Sequence, residues 1–109
     1  MYAIDGDTFV INHEHVRIVG INAPEIHHAA CERELAQGYQ AKVFLQRWLD
    51  DRKPIIVRMG LDKYGRTLAE LIPSPNEDMI RSGLAELYLC LNGKCPKHRN
   101  WCEVKMLSH

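Results

Sequence analysis

Residues 1–21, MYAIDGDTFVINHEHVRIVGI, decide the fold. Apolar and polar positions alternate in short runs, and each run stops at a turn signal. Residues 1–4 and 8–11 flank Asp5, Gly6 and Asp7. An Asp-Gly between apolar runs marks a tight turn, because glycine takes a positive φ without a Cβ clash. Asn12, His13 and Glu14 read as a second turn. Residues 15–21 read as a third strand, and Pro24 ends the extended run.

Downstream the period changes. Residues 32–49 are rich in helix formers and contain no proline. Ala41, Phe44, Leu45, Trp48 and Leu49 fall at helical spacing and make one apolar face, with Lys42, Gln46 and Arg47 on the other. Lys53 and Pro54 break this helix. Residues 55–59 read as a strand, 60–65 as a turn-rich loop, and 67–72 as the next strand, closed by Pro73, Ser74 and Pro75. Residues 76–82 read as a short helix, with Gly83 just past its end where a left-handed residue belongs. Residues 84–91 are apolar and read as strand or coil.

The expected class is therefore α+β, mainly β. It is a five-stranded Greek-key barrel of the OB type, with one main helix inserted after the third strand and a short second helix. Residues 1–90 form this domain, and the Cys-rich residues 91–109 form a tail packed on it.

A chain of 109 residues suits one domain. With 46% apolar and 26% charged residues the composition is that of an ordinary soluble protein. No apolar run approaches the roughly 20 residues of a membrane helix, so no membrane partner is expected. Patterned sequence follows Met1 at once, so a cytoplasmic protein is expected, or a periplasmic or secreted one if a leader has been removed. Fourteen basic residues balance fourteen acidic ones. Zero net charge counts against a broad basic surface for nucleic acid and leaves room for a local phosphate site.

Asp7 ends the first turn, and Asn22 and Glu25 flank the bend at Ala23 and Pro24. Asp7, Asn22 and the Ala23 carbonyl could face one hard cation, and calcium prefers such oxygen ligands. Arg17 and Arg66 each offer a planar fork matched to two phosphate oxygens. Glu25 is ionised near neutral pH and could orient a water or accept its proton. Residue types alone also allow a plainer reading, with Asp5 and Asp7 as turn residues and Arg17 and Glu25 as a surface ion pair.

Four ordered motifs decide between these readings: DGDTF (5–9), RIVGINAPE (17–25), DKYGR (62–66) and NEDMIRSGLA (76–85), with the helix after the second. In this order and spacing the chain resembles the thermonuclease, or staphylococcal-nuclease-like, family over roughly residues 3–88. The resemblance implies an OB-fold barrel and a calcium-dependent nuclease that hydrolyses DNA or RNA phosphodiesters and leaves a terminal 3′-phosphate. By resemblance, Asp7 is the first metal carboxylate, Asn22 stands where the family usually has its second, and Ala23 supplies a metal-bound carbonyl. Glu25 acts on the attacking water, and Arg17 and Arg66 hold the phosphate and its developing charge. Lys63, Tyr64 and Tyr88 line the nucleotide pocket, where a tyrosine ring stacks on any base. Nothing points to base-edge readout, so a monomer with little sequence preference is expected.

Asn22 departs from the family pattern. An amide carries no formal charge, and calcium affinity depends on the charge count of its ligands. The expectation is a working enzyme that needs high calcium. The alternative is an impaired module that binds nucleic acid or protein without turnover.

The tail departs too. Its Cys95-Pro96 and Trp101-Cys102 pairs resemble the ending of many short bacterial nuclease-like proteins. Cys31, Cys90, Cys95 and Cys102 allow two disulfides, free thiols, or a zinc site built from Cys90, Cys95, His98 and Cys102, of which zinc is the least expected. A disulfide from the tail to Cys31 would staple the fold and would require an oxidising compartment. His13 and His15 read as a solvated turn, His27 and His28 as surface loop residues and Trp48 as core, while Trp101 is left open, with packing beneath the tail as its plainer reading.

Overall fold

The computed structural model describes residues 1–103. Its elements are β1 (Tyr2–Ala3), β2 (Thr8–Ile11), β3 (Glu14–Ile18), β4 (Gly20–Asn22), α1 (Glu32–Arg52), β5 (Ile55–Leu61), β6 (Thr67–Ile72), α2 (Asn76–Arg81) and β7 (Glu86–Tyr88). The chain is α+β and mainly sheet, as its pattern implies.

The opening hairpins form, with two differences of physical interest. Asn12 and His13 both take positive φ, 48° and 67°, so the second turn is a two-residue one and Glu14 already lies in β3, opposite Ile11. Gly6 does not take the positive φ expected of it. A Cβ at Gly6 would lie 2.6 Å from the Ala41 Cβ and 2.7 Å from the Ala23 Cβ. Glycine is needed there because the loop passes between α1 and the Ala23 segment, not because the turn is left-handed.

The third strand expected over 15–21 is two strands. Gly20, at φ 90°, turns the chain out of the large sheet into β4, which pairs with β7 as a separate antiparallel ladder. The large sheet runs β1-β2-β3-β6-β5. Its central β3–β6 pair is parallel, so the five strands are not a simple meander. Seven strands replace the expected five, α1 follows the fourth, and among the described residues β1 and β5 end the sheet without a ladder closing the barrel.

Helix α1 runs one turn past its expected end. Lys53 then takes a left-handed φ of 44° and donates its N–H to the Leu49 carbonyl before Pro54 ends the helix. The expected face is the buried one: Ala41, Leu45, Trp48 and Leu49 pack with Phe9, Val16, Ile18, Ile21 and Leu71, and Phe44 is partly buried beside them. β5 takes Gly60 and Leu61 from the expected loop, with an irregular register between Arg58 and Leu61. α2 ends in a cap in which Gly83 (φ 72°) donates to the Ile80 carbonyl and Leu84 to the Met79 carbonyl. Among the described residues no helix is long and apolar enough to cross a membrane.

The tail is tied down covalently. Cys31 bonds Cys102 and Cys90 bonds Cys95, which engages every thiolate that the zinc alternative would use. Trp101 is buried, with the Arg99 guanidinium 4.4 Å above its ring. The last part of the expected tail, 104–109, lies outside the described residues.

One surface pair ties β3, β5 and β6 together. The Arg58 fork grips both Glu14 carboxylate oxygens at 2.8 and 2.6 Å, and the Thr67 hydroxyl donates to the same carboxylate at 2.7 Å. The hydrogen bonds from Arg58, then from Thr67, lower Glu14 from 4.5 to about 2. A depressed folded value means that this pair stabilises the fold above pH 4.5 and loses its contribution as pH falls towards 2. Acid unfolding of Glu14→Gln should therefore be less steep than that of the parent across this window. Thermal melts at several pH values would check this, and equal slopes would remove Glu14 from the acid response.

Candidate active site

Asp7 joins two of the motif segments, 5–9 and 17–25. Its backbone N–H donates to Asp5 Oδ1 at 3.1 Å. Its Oδ1 accepts from the Thr8 hydroxyl at 3.0 Å and its Oδ2 from the Ala23 N–H at 2.8 Å, with Arg17 Nη2 3.5 Å from Oδ2. Both Asp7 and Asn22 are buried, so water screens these contacts little. Arg17 is also a clamp within the fold. Its Nη1 donates to the carbonyls of Ile18 at 2.6 Å and Ile21 at 2.9 Å, holding the β3–β4 corner, while its remaining donors leave it able to meet an anion.

Asn22 sits directly opposite Glu86 in the β4–β7 ladder, and its Nδ2 donates to Glu86 Oε2 at 2.8 Å. Glu25 is placed through its backbone. Glu34, in the first turn of α1, accepts the Glu25 N–H at 3.0 Å and the Ala30 N–H at 2.9 Å, strapping the loop to the helix. Gly38 makes room for that loop, since a Cβ there would lie 2.9 Å from the Glu25 carbonyl oxygen and 3.1 Å from that of Pro24. Gly38→Ala gains up to about 1 kcal/mol of helix propensity and pays about 1–3 kcal/mol for overpacking. Because the loop that yields carries Glu25, any cleavage should fall more than stability does, by tenfold or more for a shift near 1 Å (~10²-fold at most). Parallel melting and rate measurements would check it; unchanged rates would show that the loop does not depend on this contact.

Negative charge is crowded here. Burial, then the neighbouring Asp7 carboxylate, pushes the Asp5 carboxyl up to about 8, with Glu25 adding to the effect. Burial, then Asp7 and Glu34, raises Glu25, against the opposing pull of His28 and Arg17. A divalent cation relieves such crowding, and the carboxylate and amide oxygens of Asp7 and Asn22 are hard donors of the kind calcium takes. Among the described residues no three Asp, Glu, His or Cys side chains converge as a metal cluster. A cation at Asp7 and Asn22 would therefore have few protein oxygens and would be completed by water.

Arg66 belongs to a second cluster. Asp62 Oδ2 accepts from Arg66 Nε at 2.7 Å, and Asp62 Oδ1 accepts the N–H groups of Tyr64 and Arg66, each at 2.9 Å. Burial alone would raise Asp62, but these hydrogen bonds overrule it and hold the carboxyl below its usual value. Tyr64 is 71% exposed, with Lys63 Nζ 5.2 Å and Arg66 Cζ 5.4 Å from its ring centre. A hollow of about 370 Å³ lies beside it, lined by His13, Glu14, His15, Arg66 and Thr67 as well. Across the parallel ladder Arg17 faces Leu68, two residues beyond Arg66. Tyr88 is engaged by the tail: its hydroxyl lies 2.9 Å from His98 Nε2, and the two rings meet edge to face.

Sequence reasoning passes over four carboxylates. Asp5 stands in plain view within DGD and reads there only as a turn residue. Asp62 could have been found from its spacing to Arg66. Glu34 lies close to its partners Glu25 and Ala30 but reads as an ordinary acid in the first turn of a helix, and Glu86 acts on Asn22 from 64 residues away.

A family model described as Staphylococcal nuclease homologue matches residues 15–104. No curated protein shows a match. The matched stretch takes in Arg17, Asn22, Glu25 and Arg66 and spans most of the chain, and the chain belongs to the staphylococcal nuclease homologue family.

Proposed function

We propose that this protein is a calcium-dependent nuclease that hydrolyses DNA or RNA phosphodiesters with little sequence preference. The observation that carries the reading is the buried Asp7, tied to Ala23 and Arg17 beside a Glu25 of raised proton affinity. Asp7, Asn22 and the Ala23 carbonyl would hold the calcium, which when bound neutralises charge on the scissile phosphate and helps position water. Glu25 takes a proton from the water as its oxygen bonds to phosphorus; its raised pKa makes it the stronger base. The bond from phosphorus to the 5′-oxygen breaks, that oxygen takes a proton from solvent, and the 3′-phosphate stays on the other fragment. Arg17 and Arg66 hold the phosphate oxygens, and the Asp62 carboxylate keeps the Arg66 guanidinium oriented. Tyr64, exposed between two cations, offers a stacking face to a base.

A second reading, a module that binds without turnover, is favoured by one observation: the residue at Asn22 is neutral and its amide is bound to a carboxylate. Cleavage of single-stranded DNA across a calcium series, with a chelator control, separates the two. Cleavage that requires high calcium and stops with the chelator supports the nuclease. Calcium-dependent binding without products, from folded protein, supports the module.

A further inference from the structure

We propose that Glu86 is a positioning residue that sets which end of the Asn22 amide faces the cleft, so that this chain presents a cation with an oriented neutral oxygen where a carboxylate could not stand.

An amide side chain has a donating end and an accepting end, and a carboxylate only accepts. Glu86 Oε2 lies 2.8 Å from Asn22 Nδ2. The flipped amide would set two acceptors against each other, so the carboxylate leaves one orientation. Oδ1 is then the end turned away from Glu86. Asn22 is 4% exposed, so water is not available to relieve a wrong orientation. On its other side the chain continues directly to Ala23, whose N–H is held by Asp7. Asn22 is thus held by Glu86 through its side chain and directly precedes the residue that Asp7 holds through its backbone.

Glu86 is itself fixed. It stands opposite Asn22 in the β4–β7 register, and the same Oε2 accepts the backbone N–H of Arg99 at 2.8 Å. Three residues on, Cys102 is bonded to Cys31, so the tail is anchored where it holds Glu86. Two donors converge on one carboxylate oxygen, which holds the Glu86 side chain in one position.

This has a consequence for the residue type at Asn22. An aspartate in its place would put two carboxylates within hydrogen-bond distance in a buried site, a repulsive contact. Restoring a carboxylate there should therefore fail to strengthen cation binding until Glu86 is also neutralised. The second half of this inference rests on the calcium reading above; the first half does not.

The test is a double-mutant cycle on the full chain with its disulfides intact, using Asn22→Asp, Glu86→Gln and the pair. Melting in chelator reads the metal-free contact, and calorimetric titration with calcium chloride reads affinity. Asn22→Asp alone is expected to lower the melting temperature by roughly 5 °C or more and to bind calcium no tighter than the parent. The pair is expected to recover the loss and to bind calcium about tenfold tighter or more. Asn22→Asp as stable as the parent in chelator, or effects that simply add, would overturn the role of Glu86. Tighter calcium binding by Asn22→Asp alone would overturn it too. Coupling in chelator with no calcium binding by any variant would keep Glu86 as the orienting residue and remove the calcium reading instead.

Discussion

Replacing Glu25 by glutamine is expected to reduce cleavage by about 10²- to 10⁴-fold while making the folded protein more stable at neutral pH. The two effects share one cause. Burial, Asp7 and Glu34 raise the Glu25 pKa, so the folded state penalises its ionised form. A raised folded value means the native state binds this proton more tightly than the unfolded one does. As pH rises above the ordinary value of 4.5, that preference appears as lost stability. Glu25→Gln removes the charge and keeps the shape, and the backbone N–H of residue 25 still reaches Glu34. The melting temperature should therefore rise at neutral pH, and the gain should vanish below the ordinary value of 4.5, where both states hold the proton. Rates and melts on the same preparations would check both halves. A variant that cleaves at the parent rate would remove Glu25 from the chemistry. One that melts lower would show that the carboxylate is a structural support.

The largest expected effect on stability comes from the disulfide between Cys31 and Cys102. It spans 71 residues, against 5 for Cys90 and Cys95. Chain-entropy reasoning puts the loss on opening the longer loop at about 4 kcal/mol, and typical measured values run at ~2–4 kcal/mol. For a domain of this size that corresponds to a fall of roughly 10 °C or more in melting temperature. Cys31 also caps α1, because its Sγ accepts the Glu34 N–H at 3.4 Å. Serine preserves a capping oxygen, so Cys31→Ser with Cys102→Ser isolates the cross-link from the cap. The double variant should lose far more stability than Cys90→Ser with Cys95→Ser, and a reducing agent should destabilise the parent but not the variant that lacks both bridges. Equal losses for the two pairs would show that loop length is not what matters here.

The two clusters explain why the site could be read in part from one dimension. DGDTF, RIVGINAPE and DKYGR each contain contacts of their own: Asp5 holds the Asp7 N–H, Arg17 holds the Ile18 and Ile21 carbonyls, and Asp62 holds Arg66. Contacts of short range leave a mark in residue spacing. Contacts between Glu34 and Glu25, or between Glu86 and Asn22, leave none, because nothing local obliges a glutamate in a helix or a strand to be a positioning group.

Local chemistry also set the elements themselves. The apolar stripe of α1, its stop at Lys53 and Pro54, the bounds of β6, and the cap at Gly83 follow from side-chain spacing and backbone preference. Tertiary structure alone decided the rest. It split the third strand at Gly20 and paired β3 with β6 in parallel across a long excursion of chain. It also left the barrel open among the described residues and gave Gly6 its reason. These depend on which segments meet. A sequence states what each segment can do alone, whereas the strand register, the gap that only glycine fits and the carboxylate that turns an amide come from the segment packed against it.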